Sequence, residues 1–152
     1  MKEKPTDELN ELLENMRPKQ LKKYFADNSD QMISGDRPFY YYMKSTLHEK
    51  RIKLGDMYSF AGFKESYGGQ IVRMEKPTRN RDHIIRLCIA GHFSLIETNR
   101  ALKLYGMNEL YSKDERDACL IVSINNRIYD LAQVDDILTD HGYEKLSLEE
   151  EK

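Results

Sequence analysis

Residues 54–74, LGDMYSFAGFKESYGGQIVRM, decide the fold. Two short segments with apolar residues at helical spacing flank a glycine. The first carries Met57, Tyr58 and Ala61, and Gly62 follows as a residue free to take positive φ. Phe63 is apolar. Lys64, Glu65 and Ser66 are polar residues at the start of the second segment, and Ile71 is an apolar anchor near its end. Pro77 blocks continuation. The spacing predicts helices over 54–62 and 66–74 joined by a tight turn. A helix-turn-helix unit has this form, with its second helix in the major groove and that helix's N-terminal residues at base edges. A tight αα-hairpin with no DNA role satisfies the same spacing.

In the DNA-reading case the exposed positions are Lys64, Glu65, Ser66, Gly69, Gln70 and Arg73. Gln pairs bidentately with adenine and Arg with guanine, so Gln70, Lys64, Ser66 and Arg73 are candidate base readers. Lys76, Arg79 and Arg81, in KPTRNR, follow in place for phosphates, which give affinity without sequence information. Arg81-Asp82 also has a structural reading, with Asp82 favoured at the positive end of a helix. The adjacent glycines Gly68 and Gly69 cost roughly 1 kcal/mol each against Ala inside a helix, so a soft second helix is expected.

The flanking sequence is helical too. Residues 6–16 carry the stripe Leu9, Leu12, Leu13 and Met16, capped by Thr6 or Asp7. Residues 18–25 are expected to turn Leu21, Tyr24 and Phe25 inward, and 27–38 to form a loop or linker. Residues 38–51 carry Phe39, Tyr42, Met43, Thr46 and Leu47 at helical spacing. Tyr40 and Tyr41 between them serve core or dimer packing, or touch sugar-phosphate. A helix over 81–91 is stopped by Gly91. The next, over 95–105, is capped by Ser94, places Leu95, Ile96, Leu102 and Tyr105 inward and is closed by Gly106. Ser112 or Lys113 opens another, within which Arg116 and Asp117 find intramolecular partners. The last runs from Leu131 to about Asp140, with Asp135 and Asp136 toward solvent and an acidic tail, SLEEEK, beyond. No repeat of 20–50 residues is evident.

The fold expected is all-α. A helical arm and linker occupy 1–37, a helix-turn-helix core 38–110, and a helical extension with an acidic tail 111–152. The 152 residues are 39% hydrophobic and 33% charged, as for a charge-rich globular chain. The net charge of −2 hides a split: −1 over 1–35, +5 over 36–86 and −6 over 87–152. That asymmetry is expected if one face meets a polyanion. No apolar run approaches the roughly 18 residues of a membrane helix, and the N-terminus has no secretory apolar region. Cys88 and Cys119 lie in apolar surroundings as free thiols in a reducing cytoplasm. His48, His83, His92 and His141 are scattered without zinc spacing, and no nucleophile elbow, P-loop or paired-carboxylate motif is present. Neither enzyme activity nor a cofactor or metal is expected.

The run YGGQIVRMEKPTRNRDHIIRLCIAGHFSLIETNRALKLYGMNELYSKDERDA resembles the XRE-like (lambda repressor/Cro-like) helix-turn-helix family. It is most similar to a bacterial branch with a short N-terminal helical arm and an extra C-terminal helical pair. The matching residues are Gly62-Phe63, Tyr67, Gln70-Ile71, Lys76-Pro77, Arg81-Asp82, Leu95, Glu97-Thr98-Asn99-Arg100, Leu102, Leu110-Tyr111 and Arg116-Asp117, over about residues 6–147. Three features depart from the pattern. Met74 stands where the family has Gly, Gly69 where a larger residue is typical, and 78–80 is about two residues longer. The resemblance implies a lambda-repressor-like core and a cytoplasmic transcriptional regulator on double-stranded DNA. Such proteins bind as homodimers, because a second half-site adds avidity to a module with few base contacts. A second expectation is a protein-interaction adapter that keeps the fold without binding DNA, its partner on the acidic C-terminal helices.

Overall fold

The computed structural model describes residues 6–32 and 37–147. The chain divides into two compact units, Met1–Asp36 and Arg37–Lys152. Described residues of the first form α1 (Thr6–Glu14) and α2 (Leu21–Asp27), with single 3-10 turns at Pro18–Gln20 and Ser29–Gln31. In the second follow α3 (Pro38–Lys50), α4 (Leu54–Phe60), α5 (Glu65–Val72), α6 (Arg81–Ala90), α7 (Leu95–Leu104), α8 (Glu115–Asn125) and α9 (Leu131–Asp140). The described residues are all-α, without a strand. Residues 38–110 and 111–147, expected as core and extension, both lie in the second unit.

Helices α3 to α9 all close with one backbone device. A residue just past the last turn takes a left-handed conformation: Arg51, Gly62, Met74, His92, Gly106, Arg127 and Gly142, with φ between 56° and 84°. The next N–H then reaches back five residues to a free carbonyl, as Phe63 does to Tyr58 and Phe93 to Cys88, both at 2.9 Å. In six of the seven that next residue is apolar: Ile52, Phe63, Phe93, Met107, Ile128 and Tyr143. All six are buried or pack on the core. Glu75 is the seventh. A non-glycine residue in this conformation costs about 1 kcal/mol or more, and the packed apolar neighbour offsets it.

The core centres on α6, whose residues from His83 to Ala90 are all buried. It packs on α4, α7 and α9. Ile84, Ile85, Leu87 and Ile89 are 0–1% exposed, and burial of each contributes about 1.5–3 kcal/mol. Phe39, Met43 and Leu47 of α3 and Met57 of α4 complete the centre.

The hairpins α6–α7 and α8–α9 are two copies of one design, which overturns the expectation of no repeat. Arg81 gives two bonds to Asp117, at 2.9 and 2.8 Å, and Arg116 gives two to Asp82, both at 2.9 Å. Each Arg also binds the loop after its own hairpin: Arg81 the carbonyls of Asn108 and Glu109, Arg116 those of Glu144 and Lys145. Asn99 Oδ1 accepts the Leu110 N–H at 2.9 Å, and Asp135 Oδ1 accepts that of Leu146 at 2.8 Å. The offset is 35 residues for Arg81/Arg116 and His92/Arg127, then 36 for Asn99/Asp135 and Gly106/Gly142. Tyr129 is the inserted residue. Its ring stacks on His92 at 4.0 Å and 13°, turn against turn.

Several local expectations are corrected. Leu21 and Phe25 are 38% and 52% exposed, and Tyr24 alone of that trio is buried. Ile96 is 74% exposed, because it falls on the outer side of α7's first turn. Asp135 is buried, not solvent-facing, because it satisfies the Leu146 N–H. Asp114, rather than Ser112 or Lys113, caps α8 by accepting the Asp117 N–H. Gly91 has φ −86°, and His92 supplies the left-handed turn instead. Gly91 is a close-approach residue, since a Cβ there would lie 2.9 Å from Leu47 Cδ2. Linker residues 33–36 and the tail from 148 lie outside the described residues.

Candidate nucleic-acid interface

Helices α4 and α5 meet at a turn fixed from below. Gly62 has φ +82°, and a Cβ there would sit 2.9 Å from Arg86 Nη2, so backbone and space both favour glycine. Arg86, 2% exposed in α6, donates from Nε and Nη2 to the Ala61 carbonyl at 3.0 and 2.6 Å. Its guanidinium also lies 4.2 Å from the Phe63 ring centroid. A buried cation thus holds the C-terminal carbonyl end of α4, where the helix dipole is negative. Phe63 continues into an edge-to-face cluster with Tyr67 and His83, at 5.7 and 5.2 Å.

The α5 glycines are packing residues. A Cβ on Gly68 would lie 2.8 Å from the Tyr58 ring of α4, so glycine lets the two helices cross closely. A Cβ on Gly69 would lie 2.8 Å from Arg73 Nη1. Both glycines are buried, so the expected softness is opposed by contact on both sides. Ile71 and Val72 enter the core at 0% exposure. The Tyr105 hydroxyl donates to the Ile71 carbonyl at 2.9 Å and accepts the Thr78 N–H at 3.2 Å. It therefore ties the end of α5 to the loop beyond. Thr78 Oγ1 accepts the Asn80 N–H and pairs with His83 Nδ1, both at 3.0 Å, and Asn80 caps α6. Burial pushes the Tyr105 hydroxyl above its ordinary pKa, so it remains a donor.

The nine expected contact residues separate into groups. Lys64, Glu65 and Ser66 are exposed at the start of α5, and Gln70 is half-buried one turn on. Lys76 and Arg79 are exposed on the pinned loop. Arg73 is half-buried over Gly69. It donates to Glu75 from Nε at 2.9 Å and from Nη2 at 3.3 Å, which holds the Glu75 carboxyl below its usual range. Two expectations are corrected. Gly69 lies beneath Arg73 and presents no surface. Arg81, expected on phosphates, is committed to Asp117 and to two carbonyls of the loop after its own hairpin. Its structural reading is the one the geometry favours. Met74, where the resembled pattern has Gly, takes φ +59° and supplies the left-handed turn.

Arg86, which fixes the unit from below, is absent from the sequence expectations, and Tyr105 is expected there only as an inward-facing residue of the 95–105 helix. The available signal for Arg86 was a lone cation inside the apolar run IIRLCIA. No family model, curated protein or solved structure matches the chain. Among the described residues no helix is long and apolar enough to cross a membrane.

Proposed function

We propose that this chain is a sequence-specific DNA-binding transcriptional regulator of XRE-like type, cytoplasmic and acting as a homodimer, with α5 as its reading helix. The observation that carries the reading is how α5 is mounted. One side is fixed by Gly68 on Tyr58, by Ile71 and Val72 in the core and by the Tyr105 hydroxyl on the Ile71 carbonyl. The other side keeps Lys64, Glu65, Ser66 and Gln70 accessible. A rigid helix with a short polar face after a tight turn has the form that fits a major groove. Lys76 and Arg79, on a pinned loop just beyond, fit phosphates.

The test is fluorescence anisotropy on a selected site. Changing Gln70 to Ala costs roughly 1–3 kcal/mol and relaxes preference at one position. Changing Lys76 to Gln weakens all sequences alike and lowers the salt slope by about one. If Gln70→Ala keeps both affinity and preference, α5 is not the reader. The exposed Ile96 and Val122 and the −6 charge over 87–152 favour a second reading, an adapter that binds protein through its repeated hairpins. A wild-type chain that flows through heparin at low salt selects that reading.

A further inference from the structure

A second basic surface lies at the opposite end of α5 from Lys64 and Ser66. Arg37, Tyr40 and Lys44 stand three and four residues apart along the start of α3, so they share one stripe. The Arg37 guanidinium is 5.7 Å and the Lys44 ammonium 5.8 Å from the Tyr40 ring centroid. Tyr41, 56% exposed, meets Tyr40 edge-on at 5.2 Å. Helices α3 and α5 pack on each other, and Arg73 and Glu75 follow directly at the end of α5, where the Glu75 carboxylate feels the charge of Arg37. The surface therefore joins α3 to the end of α5. Among these described residues it holds three cations and one carboxylate, and that carboxylate is on Arg73.

We propose that this surface is a strip for the phosphodiester backbone of duplex DNA, on which Arg37 and Lys44 each contact a phosphate and Arg73 exchanges Glu75 for a third. The proposal rests on the DNA reading of α5. Eight residues of α5 span about 12 Å, close to the major-groove width of about 12 Å. A helix with its first turn at base edges then brings its far end, and this strip, to the backbone bordering the groove. The Tyr40 ring orders both cations before binding, which lowers the entropy lost on contact. Arg73 and Glu75 are 38% and 52% exposed, and a pair that open to water exchanges partners readily.

The experiment measures anisotropy of a mixed-sequence duplex against salt for the full chain, for Arg37→Asn combined with Lys44→Gln, and for Glu75→Gln. Asn tolerates the left-handed backbone at Arg37, φ +55°, and both changed positions are exposed, so the melting temperature should match wild type. The double variant should lose about 1.8 from the log–log salt slope, roughly 0.9 per phosphate contact. Glu75→Gln should bind several-fold tighter. A double variant with the wild-type slope, or Glu75→Gln with wild-type affinity, overturns the strip. If Gln70→Ala still shifts sequence preference in that case, the DNA reading of α5 survives without it. A wild-type chain that binds no duplex sinks both.

Discussion

The crossed Arg/Asp pairs predict an asymmetry that a double-mutant cycle can measure. Arg81 with Asp117 is the more sheltered pair, at 27% and 7% side-chain exposure, and Asp117 also accepts the Tyr111 N–H at 2.9 Å. Arg116 with Asp82 is 22% and 24% exposed. Removing one partner of a fully buried pair costs roughly 3–5 kcal/mol. The partial exposure of Arg81 lets water screen the charge, which brings the expected coupling to about 2 kcal/mol. With both members at the rim, the second pair should couple by about 1 kcal/mol. The assay is urea unfolding by far-ultraviolet circular dichroism on Arg81→Ala, Asp117→Ala and the double variant, then on the Arg116 and Asp82 set. A coupling below about 0.5 kcal/mol for Arg81 with Asp117, or a larger one for the rim pair, would refute the view that the sheltered pair locks the two hairpins.

Acid should unlock them. Burial alone would raise the Asp117 carboxyl, but hydrogen bonds from Arg81 and the Tyr111 N–H, with the charges of Arg81 and Arg116, hold it below its usual range. A depressed carboxyl contributes stability that is present above the unfolded value, near 3.9, and lost as pH falls through the folded value. Wild type should therefore lose stability below about pH 4 more steeply than Asp117→Asn, as acid titrations of unfolding free energy would record. The two α4–α5 glycines tested by alanine should respond oppositely. Gly68→Ala should destabilise by about 1–3 kcal/mol, because its Cβ meets the Tyr58 ring at 2.8 Å. Gly55→Ala has only Glu65 Oε1, at 3.9 Å, in reach and should stabilise by about 0.5–1 kcal/mol. Equal signs in thermal melts would show that Gly68 is not a packing glycine.

Helix placement was legible because its punctuation is local. Pro18 and Pro38, Gly62 and Gly106, and the Ser94 cap with Glu97 lie within a turn of the boundaries they set. The repeat was missed although Arg81-Asp82 and Arg116-Asp117 mark it, because most other equivalent positions differ in residue type. His92 and Arg127 fill one left-handed position, Asn99 and Asp135 accept the same loop N–H, and Tyr129 breaks the period. Basic residues near a turn read alike in sequence, so Arg81 was grouped with Lys76 and Arg79. Its partner Asp117 is 36 residues away, and only the fold brings the two together. Asp135 and Asp136 are neighbours of one type, and what separates them is a backbone N–H, that of Leu146, which no periodicity announces. On α5 the polar face was readable, but the reason for Gly68 was not, since it lies in the Tyr58 ring on the neighbouring helix.

The most direct test of the central claim is selection of bound fragments from the source organism's sheared genome by wild type and by Gln70→Ala, with affinity followed across salt. A DNA-reading α5 in a homodimer predicts a shared motif, arranged as an inverted repeat, whose affinity falls steeply with salt and whose preference changes in the variant. Enrichment of no motif, or the same motif in both proteins, would contradict the reading of α5 as a DNA-reading helix.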